Sequence, residues 1–178
     1  PWSLLACAIS GSRGRMRLLW ISAALAFGLD QLSKYLVIHV LGVSAFKPMD
    51  VLPPILNFRY GENRGINFGL LGAGTSVWLL ISIALLICAG VLWWLRKSPQ
   101  PALAYLSAGL LIGGALANVL DRLIYGYVLD FLNMSCCGIT NPFVFNVADI
   151  FIFAGAIGLV FFGQDGTPDR KKRPKKGA

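Results

Sequence analysis

The chain has 178 residues, of which 56% are apolar and only 13% are charged, and its mean hydropathy is +0.67. Soluble domains carry about a quarter charged residues, so this composition excludes an ordinary water-soluble domain and predicts an integral membrane protein. The net charge of +8 does not indicate a nucleic-acid partner, because most basic residues cluster beside apolar segments, at 13–17, 96–97 and 170–176.

Four apolar segments predict four membrane-spanning helices, at about 18–38, 75–95, 102–121 and 146–163. Runs without any charged residue cover 65–95, 98–120 and 131–148, and a helix that crosses the hydrocarbon needs about 20 such residues. The three basic clusters alternate with loops that lack one. By the positive-inside rule, both termini and the loop at Arg96 are expected in the cytoplasm.

These assignments predict one transmembrane domain over residues 13–164, with long extracytoplasmic loops at about 41–74 and 122–145. Residues 1–12 are expected to be non-native or disordered, because the chain begins with a proline. Residues 165–178 are expected to form a basic cytoplasmic tail that touches anionic membrane lipid.

Two stretches of the outer loops have the alternation of β-strands. In ILNFRY (55–60), the apolar side chains of Leu56, Phe58 and Tyr60 lie on one face, and Gly61 is expected to break the strand. YGYVLDF (125–131) repeats the pattern and contains Asp130. The predicted fold class is therefore an all-α membrane protein, a four-helix transmembrane bundle with a small extracytoplasmic β-sheet that carries Asp130 toward the helix ends.

The polar residues of the predicted helices all fall at one depth. Counting about 1.5 Å per residue from the cytoplasmic ends puts them in the outer half or at the outer rim: Asp30, Lys34, Asn118, Asp121, Arg122 and Asp149. The inner half of every helix is apolar, whereas a pore or a proton relay needs a polar track across the membrane. The pattern predicts a site at the outer interface and disfavours the alternative of a small proton-coupled transporter.

Asp130 and Asp149 are candidates for a catalytic pair. Two carboxyl groups that approach each other cannot both ionise easily, so one keeps a proton while the other serves as a base. Such a pair activates a water molecule for attack on a peptide carbonyl. The alternative is structural: Asn146 caps the last helix, and Asp149 in its first turn is favoured by the helix dipole.

The other polar residues also allow two interpretations. Asn118, Asp121 and Arg122 share one helical face and either bind substrate carbonyls or anchor the helix end. Asp30 and Lys34 have the spacing of an intrahelical salt bridge. NRGINFG (63–69) indicates either a tight turn or a loop that contacts the substrate main chain. His39 is the only histidine, which excludes a multi-histidine zinc site.

Five stretches in this order resemble the lipoprotein signal peptidase (signal peptidase II) family: DQLSK (30–34), NRGINFG (63–69), GGALANVLDR (113–122), VLDF (128–131) and FNVAD (145–149). The resemblance covers about residues 17–163 and implies an aspartic endopeptidase of the bacterial plasma (inner) membrane. It implies cleavage of prolipoproteins immediately before a diacylglyceryl-modified cysteine, at the extracytoplasmic face. Ala117, where glycine is usual, and Asn67 depart from the family pattern.

The resemblance also implies roles for single residues. Asp130 and Asp149 match the catalytic aspartates, and the residues that match the lining of the substrate site are Asn63, Asn118, Arg122 and Asn146. The residues expected to support the site are Asp30, Lys34, Asp121 and, in the NRGINFG stretch, Gly65. No metal or organic cofactor is implied, and a monomer is expected. A non-catalytic assembly subunit is a further alternative, in which Asp130→Asn affects no processing reaction.

Overall fold

The computed structural model describes residues 11–65, 77–136, 138 and 141–163. Helix α1 spans Ser12–Lys34 and continues through a π-helical segment, Tyr35–Val40. Strands β1 (Met49–Leu52) and β2 (Leu56–Asn63) follow. Then come helix α2 (Val77–Lys97), helix α3 (Ala102–Tyr125), strand β3 (Val128–Asn133) and helix α4 (Val147–Phe162).

Three of the helical segments in the described residues are long and apolar enough to cross a membrane: 12–40, 77–97 and 102–125. Helix α4 is apolar but has 16 residues. The first helix begins six residues before its predicted start at 18, because the arginines at 13, 15 and 17 extend it into its basic flank. The third helix continues past its predicted end at 121 to Tyr125, where Gly126 closes it with φ of +79°.

Helix α3 is the centre of the bundle, and most of its residues from Ala104 to Asp121 are buried. Small residues allow its neighbours to approach closely. A Cβ atom on Gly113 would lie 2.2 Å from the carbonyl oxygen of Ala23 in α1, and one on Gly155 of α4 would lie 2.5 Å from the carbonyl oxygen of Ser107. The backbones of α1, α3 and α4 are therefore in near contact, which fixes the relative positions of the polar residues at the ends of these helices nearest the sheet.

A three-stranded antiparallel sheet in the order β1-β2-β3 lies beyond the helices. The prediction of a small sheet is confirmed, although β1 was not predicted and Tyr125 belongs to α3 rather than to a strand. Phe58 of β2 packs edge-on against Phe131 of β3, with ring centroids 5.8 Å apart. Both rings belong to an apolar cluster with Val37, in the π-helical segment that continues α1.

The expected strand break at Gly61 is wrong. β2 runs through Gly61 to Asn63, and the irregularity at this point is a shift of register between Phe58 and Gly61. Gly61 pairs with Asp130, and a Cβ atom there would contact the side chains of Val144 and Asp130. Gly61 therefore lies directly beside Asp130 on the neighbouring strand. Asn57, predicted on the face opposite the apolar residues, is buried as well, with 7% of its surface exposed.

Candidate active site

Asp130 lies in the middle of β3, and 3% of its surface is exposed. The Nδ2 of Asn146 donates to its Oδ1 over 2.6 Å, and the Asn63 side chain is close enough to lower the pKa of Asp130. Burial, and next the charge of Asp149, raise the pKa of Asp130 from its ordinary value of 3.8 to about 7, against the lowering effects of Asn146, Asn63 and Lys34. Asp130 therefore holds a proton up to near neutral pH.

Asp149 lies in the first turn of α4, and the structure shows the capping arrangement that was one of its two interpretations. Its backbone N–H donates to the Oδ1 of Asn146 over 2.9 Å, and the backbone N–H of Asn146 donates to its Oδ2 over 3.3 Å, which is a capping box. Its Oδ1 accepts a further hydrogen bond from the Nδ2 of Asn118, over 3.0 Å. The capping hydrogen bonds therefore also orient the Asp149 side chain toward Asn118.

Asn146 links the two aspartates. It is fully buried and caps the start of α4 through the backbone N–H of Asp149. Its Nδ2 donates to Asp130 and, over 3.3 Å, to the Oδ1 of Asn118. Asn146 therefore donates to both carboxyl groups, to Asp130 from its side chain and to Asp149 from its backbone N–H, and the charge of Asp149 raises the pKa of Asp130. The structure therefore brings together four predicted site residues: Asn118 of α3, Asp130 of β3, and Asn146 and Asp149 at the start of α4.

A second group of residues holds the backbone next to each aspartate. The Nζ of Lys34 lies 2.6 Å from Asp30 and 2.7 Å from Asp121, and all three residues are buried. Asp30 accepts a hydrogen bond from the backbone N–H of Ala148 over 2.8 Å, and Asp121 accepts one from that of Leu129 over 3.1 Å. These are the residues directly before Asp149 and Asp130. One lysine therefore ties together the two segments that carry the pair.

Gln31 belongs to the same group, and the sequence analysis missed it. Its Nε2 donates to the Oδ1 of Asp121 over 2.9 Å and to the Oδ2 of Asp30 over 3.3 Å. The only signal for it was its place inside the DQLSK stretch. A glutamine on a helix has no spacing pattern that indicates its partner, and Asp121 lies on another helix.

Asn118, Asp121 and Arg122 do not act as one local group. Asp121 forms an ion pair with Lys34, whereas Arg122 donates from Nη1 to the Asn118 carbonyl over 3.3 Å. The Nε of Arg122 is buried and has no hydrogen-bond partner among the described residues. Asn118 and Arg122 line one end of a groove of about 450 Å³ between α2, α3 and α4. The rest of the groove wall is aliphatic, with Leu80 and Ile152 among its residues.

Asn63 and Gly65 form a tight turn at the end of β2. The backbone N–H of Gly65 donates to the Oδ1 of Asn63 over 3.2 Å, and Gly65 has a φ of +101°, which disfavours a residue with a side chain. Residues 66–69 of the NRGINFG stretch lie outside the described residues. His39 lies beside the ring of Tyr35 and lines a small cavity together with Lys34 and Asp121. Within the described residues no group of His, Cys, Asp or Glu has the arrangement of a metal site.

A buried aspartate that is protonated near neutral pH and a second, partly buried aspartate lie at the end of a bundle of apolar helices, as in a membrane-bound aspartic hydrolase. The family profile described as "Signal peptidase (SPase) II" matches residues 22–163. The chain belongs to the signal peptidase II family, and the protein is a membrane protease.

Individual relatives agree with this assignment. The chain is 43% identical to a lipoprotein signal peptidase of Alteromonas mediterranea over 148 residues, which cover 82% of this chain and 79% of that protein. It is 40% identical to a lipoprotein signal peptidase of Caulobacter vibrioides, with 76% and 82% covered. A solved structure of a bacterial membrane enzyme matches 87% of this chain and 93% of its own, with a TM-score of 0.69 and 25% identity.

Proposed function

We propose that Asp130 and Asp149 are the catalytic pair with which this member of the signal peptidase II family removes signal peptides from lipoprotein precursors. Family membership makes the protein an aspartic peptidase that processes such precursors, and it does not support the transporter or the non-catalytic subunit. The observation that carries the proposal is Asn146, whose side chain hydrogen-bonds Asp130 and caps Asp149.

The raised pKa of Asp130 supports different roles for the two aspartates, with Asp130 as the acid and Asp149 as the base. Asp130 keeps its proton near neutral pH, whereas Asp149 accepts hydrogen bonds at both oxygens, as an ionised carboxylate does. In the proposed reaction Asp149 takes a proton from water, the oxygen attacks the scissile carbonyl carbon, and Asp130 gives its proton to the carbonyl oxygen. Asp149 then returns its proton to the amide nitrogen while the C–N bond breaks and Asp130 regains its own.

The polar end of the groove supports substrate-binding roles for Asn118 and Arg122. The buried Nε of Arg122 has no hydrogen-bond partner within the described residues. A substrate carbonyl oxygen at this position would accept a hydrogen bond from it and remove the cost of a buried, unpaired donor. The aliphatic part of the groove suits an apolar signal segment or the acyl chains of a lipidated cysteine. We propose cleavage immediately before a diacylglyceryl-modified cysteine, since its acyl chains stay in the bilayer while the peptide bond meets the pair.

We further propose that α4 is the fourth span, that residues 13–164 form one domain, and that the sheet faces the extracytoplasmic side. Arg96 and Lys97 end α2, at the end of the bundle opposite the sheet, as the positive-inside rule requires for the cytoplasmic side. Cys136, beside β3, is disulfide-bonded, which suits an oxidising compartment. Leu25, Leu29, Leu32 and Leu36 form an exposed stripe along α1 that suits contact with lipid.

Because both aspartates come from a single chain, the site is complete in one copy, which supports a monomer in the bacterial inner membrane. A fluorescent protein fused to the C-terminus tests the orientation, since it should fluoresce only if that terminus is cytoplasmic. A fusion to a phosphatase that needs export should be inactive, and an active one would reverse the topology.

The catalytic proposal is tested by incubating the purified protein in lipid nanodiscs with a diacylglyceryl-modified precursor peptide and measuring signal-peptide release by mass spectrometry. Asp130→Asn and Asp149→Asn should each abolish release while the protein still inserts and purifies. Asp169→Asn, in the predicted tail, is the matched control and should retain the rate. Substantial release by both site variants would refute the assignment.

A further inference from the structure

A second cavity of about 450 Å³ lies in the outer layer, apart from the groove at Arg122. The strands form one wall, and residues that follow β3 form the other. The lining includes Asp50, Pro54, Asn57, Asn133, Pro142 and Val144. No residue of the catalytic pair or its supporting group lines this cavity, and the proposed mechanism does not use it.

Two asparagines give the mixed polar and apolar lining of the cavity fixed polar groups. Asn133 donates from Nδ2 to the carbonyls of Asn141 and Phe143, over 2.8 and 2.9 Å, and so holds the far wall in place. Asn57 is 7% exposed, and its Nδ2 donates to the Pro54 carbonyl over 3.2 Å. Its Oδ1 has no hydrogen-bond partner within the described residues. An unpaired buried acceptor is costly, so a ligand that brings an N–H group would bind favourably here.

The rim of the cavity is charged, and its walls are stiff. Arg59 forms an ion pair with Asp50, and both lie at the cavity. Pro53, Pro54 and Pro142 contribute walls with restricted backbone. Such a surface suits an extended polar peptide rather than an acyl chain.

The position of the cavity relates it to the catalytic pair. Asn133 follows Asp130 by three residues on β3, which is about 10 Å along an extended strand. At its near end, Val144 lies beside Gly61, the strand partner of Asp130. The cavity therefore begins next to the strand that carries Asp130 and extends along the sheet.

We propose that this cavity binds the mature segment of the lipoprotein precursor, the polar residues that follow the modified cysteine. The inference rests on the proposed function: the acyl chains and the signal segment stay in the bilayer, so the mature chain is the part that must leave across the outer layer. At about 3.3 Å per residue, roughly the third to sixth residues after the cysteine reach the cavity. A backbone N–H of this segment donates to the Oδ1 of Asn57.

The test compares two lipidated precursor peptides, one that ends directly after the cysteine and one that continues for eight residues. The protein in nanodiscs should cleave the longer peptide with a kcat/KM about fivefold to tenfold higher, the effect of one or two net hydrogen bonds. Asn57→Ala removes the acceptor, and Pro142→Trp fills the cavity from an exposed position. Both variants should reduce the advantage of the longer peptide to about one, whereas Ala45→Trp, exposed and outside the cavity, should keep it.

Thermal unfolding of each variant separates a folding defect from lost binding, and Pro142→Trp decides the outcome if Asn57→Ala does not fold. Equal cleavage of both peptides by the unmodified protein would overturn the inference, as would an equal slowing of both peptides by the cavity variants. If that slowing depends on anionic lipid in the nanodisc, the cavity binds a lipid headgroup instead. Failure of the unmodified protein to cleave either peptide would refute the proposed function, not the cavity assignment alone.

Discussion

Lys34 is the residue whose loss should reveal how the site is held together. Its buried Nζ contacts Asp30 and Asp121 within 2.7 Å, and these aspartates bind the backbone N–H groups of Ala148 and Leu129. Lys34→Met removes the cation and keeps most of the volume of the side chain. Two carboxylates then remain buried without their counter-ion, and both are directly attached to the segments that carry the catalytic pair.

The structure allows an estimate of the cost. Removing one partner of a buried ion pair destabilises a protein by about 3–5 kcal/mol, and for a chain of this size each kcal/mol lowers Tm by about 2–4 °C. Lys34→Met should therefore lower Tm by roughly 6–20 °C. Peptidase activity should fall as well at temperatures where the variant is still folded, because repulsion between Asp30 and Asp121 displaces the backbone beside Asp149 and Asp130.

The assay is thermal unfolding in nanodiscs together with precursor cleavage, and two further variants isolate the cause. Lys47→Met is the matched control, because Lys47 is exposed and, among the described residues, its Nζ donates only to the Leu41 carbonyl, over 3.4 Å. The Tm of this variant should be unchanged. Combining Lys34→Met with Asp30→Asn and Asp121→Asn removes both unpaired charges but keeps the oxygen acceptors, and should restore most of the Tm. A Lys34→Met protein as stable as the parent, or a triple variant no more stable than the single one, would refute the reasoning.

Three further predictions follow from single contacts. The pKa of Asp130 is raised to about 7, so kcat/KM should fall as pH rises above about 7, and a profile that instead rises there would mean that Asp130 is the base. The contribution of this group to stability is full below the ordinary pKa of 3.8 and is lost as pH rises from there through about 7. Asn146→Ser keeps a capping oxygen, but its side chain cannot reach Asp130. In the cleavage assay it should therefore be as inactive as Asn146→Ala, yet its free energy of unfolding should be about 1 kcal/mol higher than that of Asn146→Ala. Equal stability of these two variants would contradict the role of Asn146 as the helix cap. Gly113→Ala should lower stability by about 1–3 kcal/mol, because the added Cβ would lie 2.2 Å from a backbone oxygen. Gly90→Ala is the control and should not lower stability, because its Cβ would meet nothing within 4 Å. Equal unfolding temperatures for the two variants would contradict the close packing of α3.

Several features were predictable because they depend on local pattern. Long charge-free runs indicated the helices of residues 77–97 and 102–125, and alternation indicated β2 and β3. The i, i+4 spacing of Asp30 and Lys34 predicted their salt bridge. The five motifs indicated the family, which the family profile confirms. The catalytic roles of Asp130 and Asp149 remain predictions.

Other features were not predictable, because they depend on which chain segments meet. Gly61 looked like a strand break, yet it is the place where β2 approaches Asp130, a contact that only the pairing with β3 creates. Strand β1 is short and mostly exposed, so it has no alternation to reveal it. Gln31 has no local pattern at all, because its closest partner, Asp121, lies on a different helix.

By itself the sequence determined that the chain enters the membrane, which helices it forms and where along them polar groups are tolerated, because the cost of burying charge in hydrocarbon acts residue by residue. The sequence left open whether Asp149 only stabilises the start of α4 or also lies close enough to Asp130 to form a pair, which would place it in both the helix cap and a polar cluster. Only the tertiary structure decided that it lies in both, because the close packing of α3 against α1 and α4 brings Asn118 and Asn146 within hydrogen-bonding distance of the carboxyl groups from two other segments.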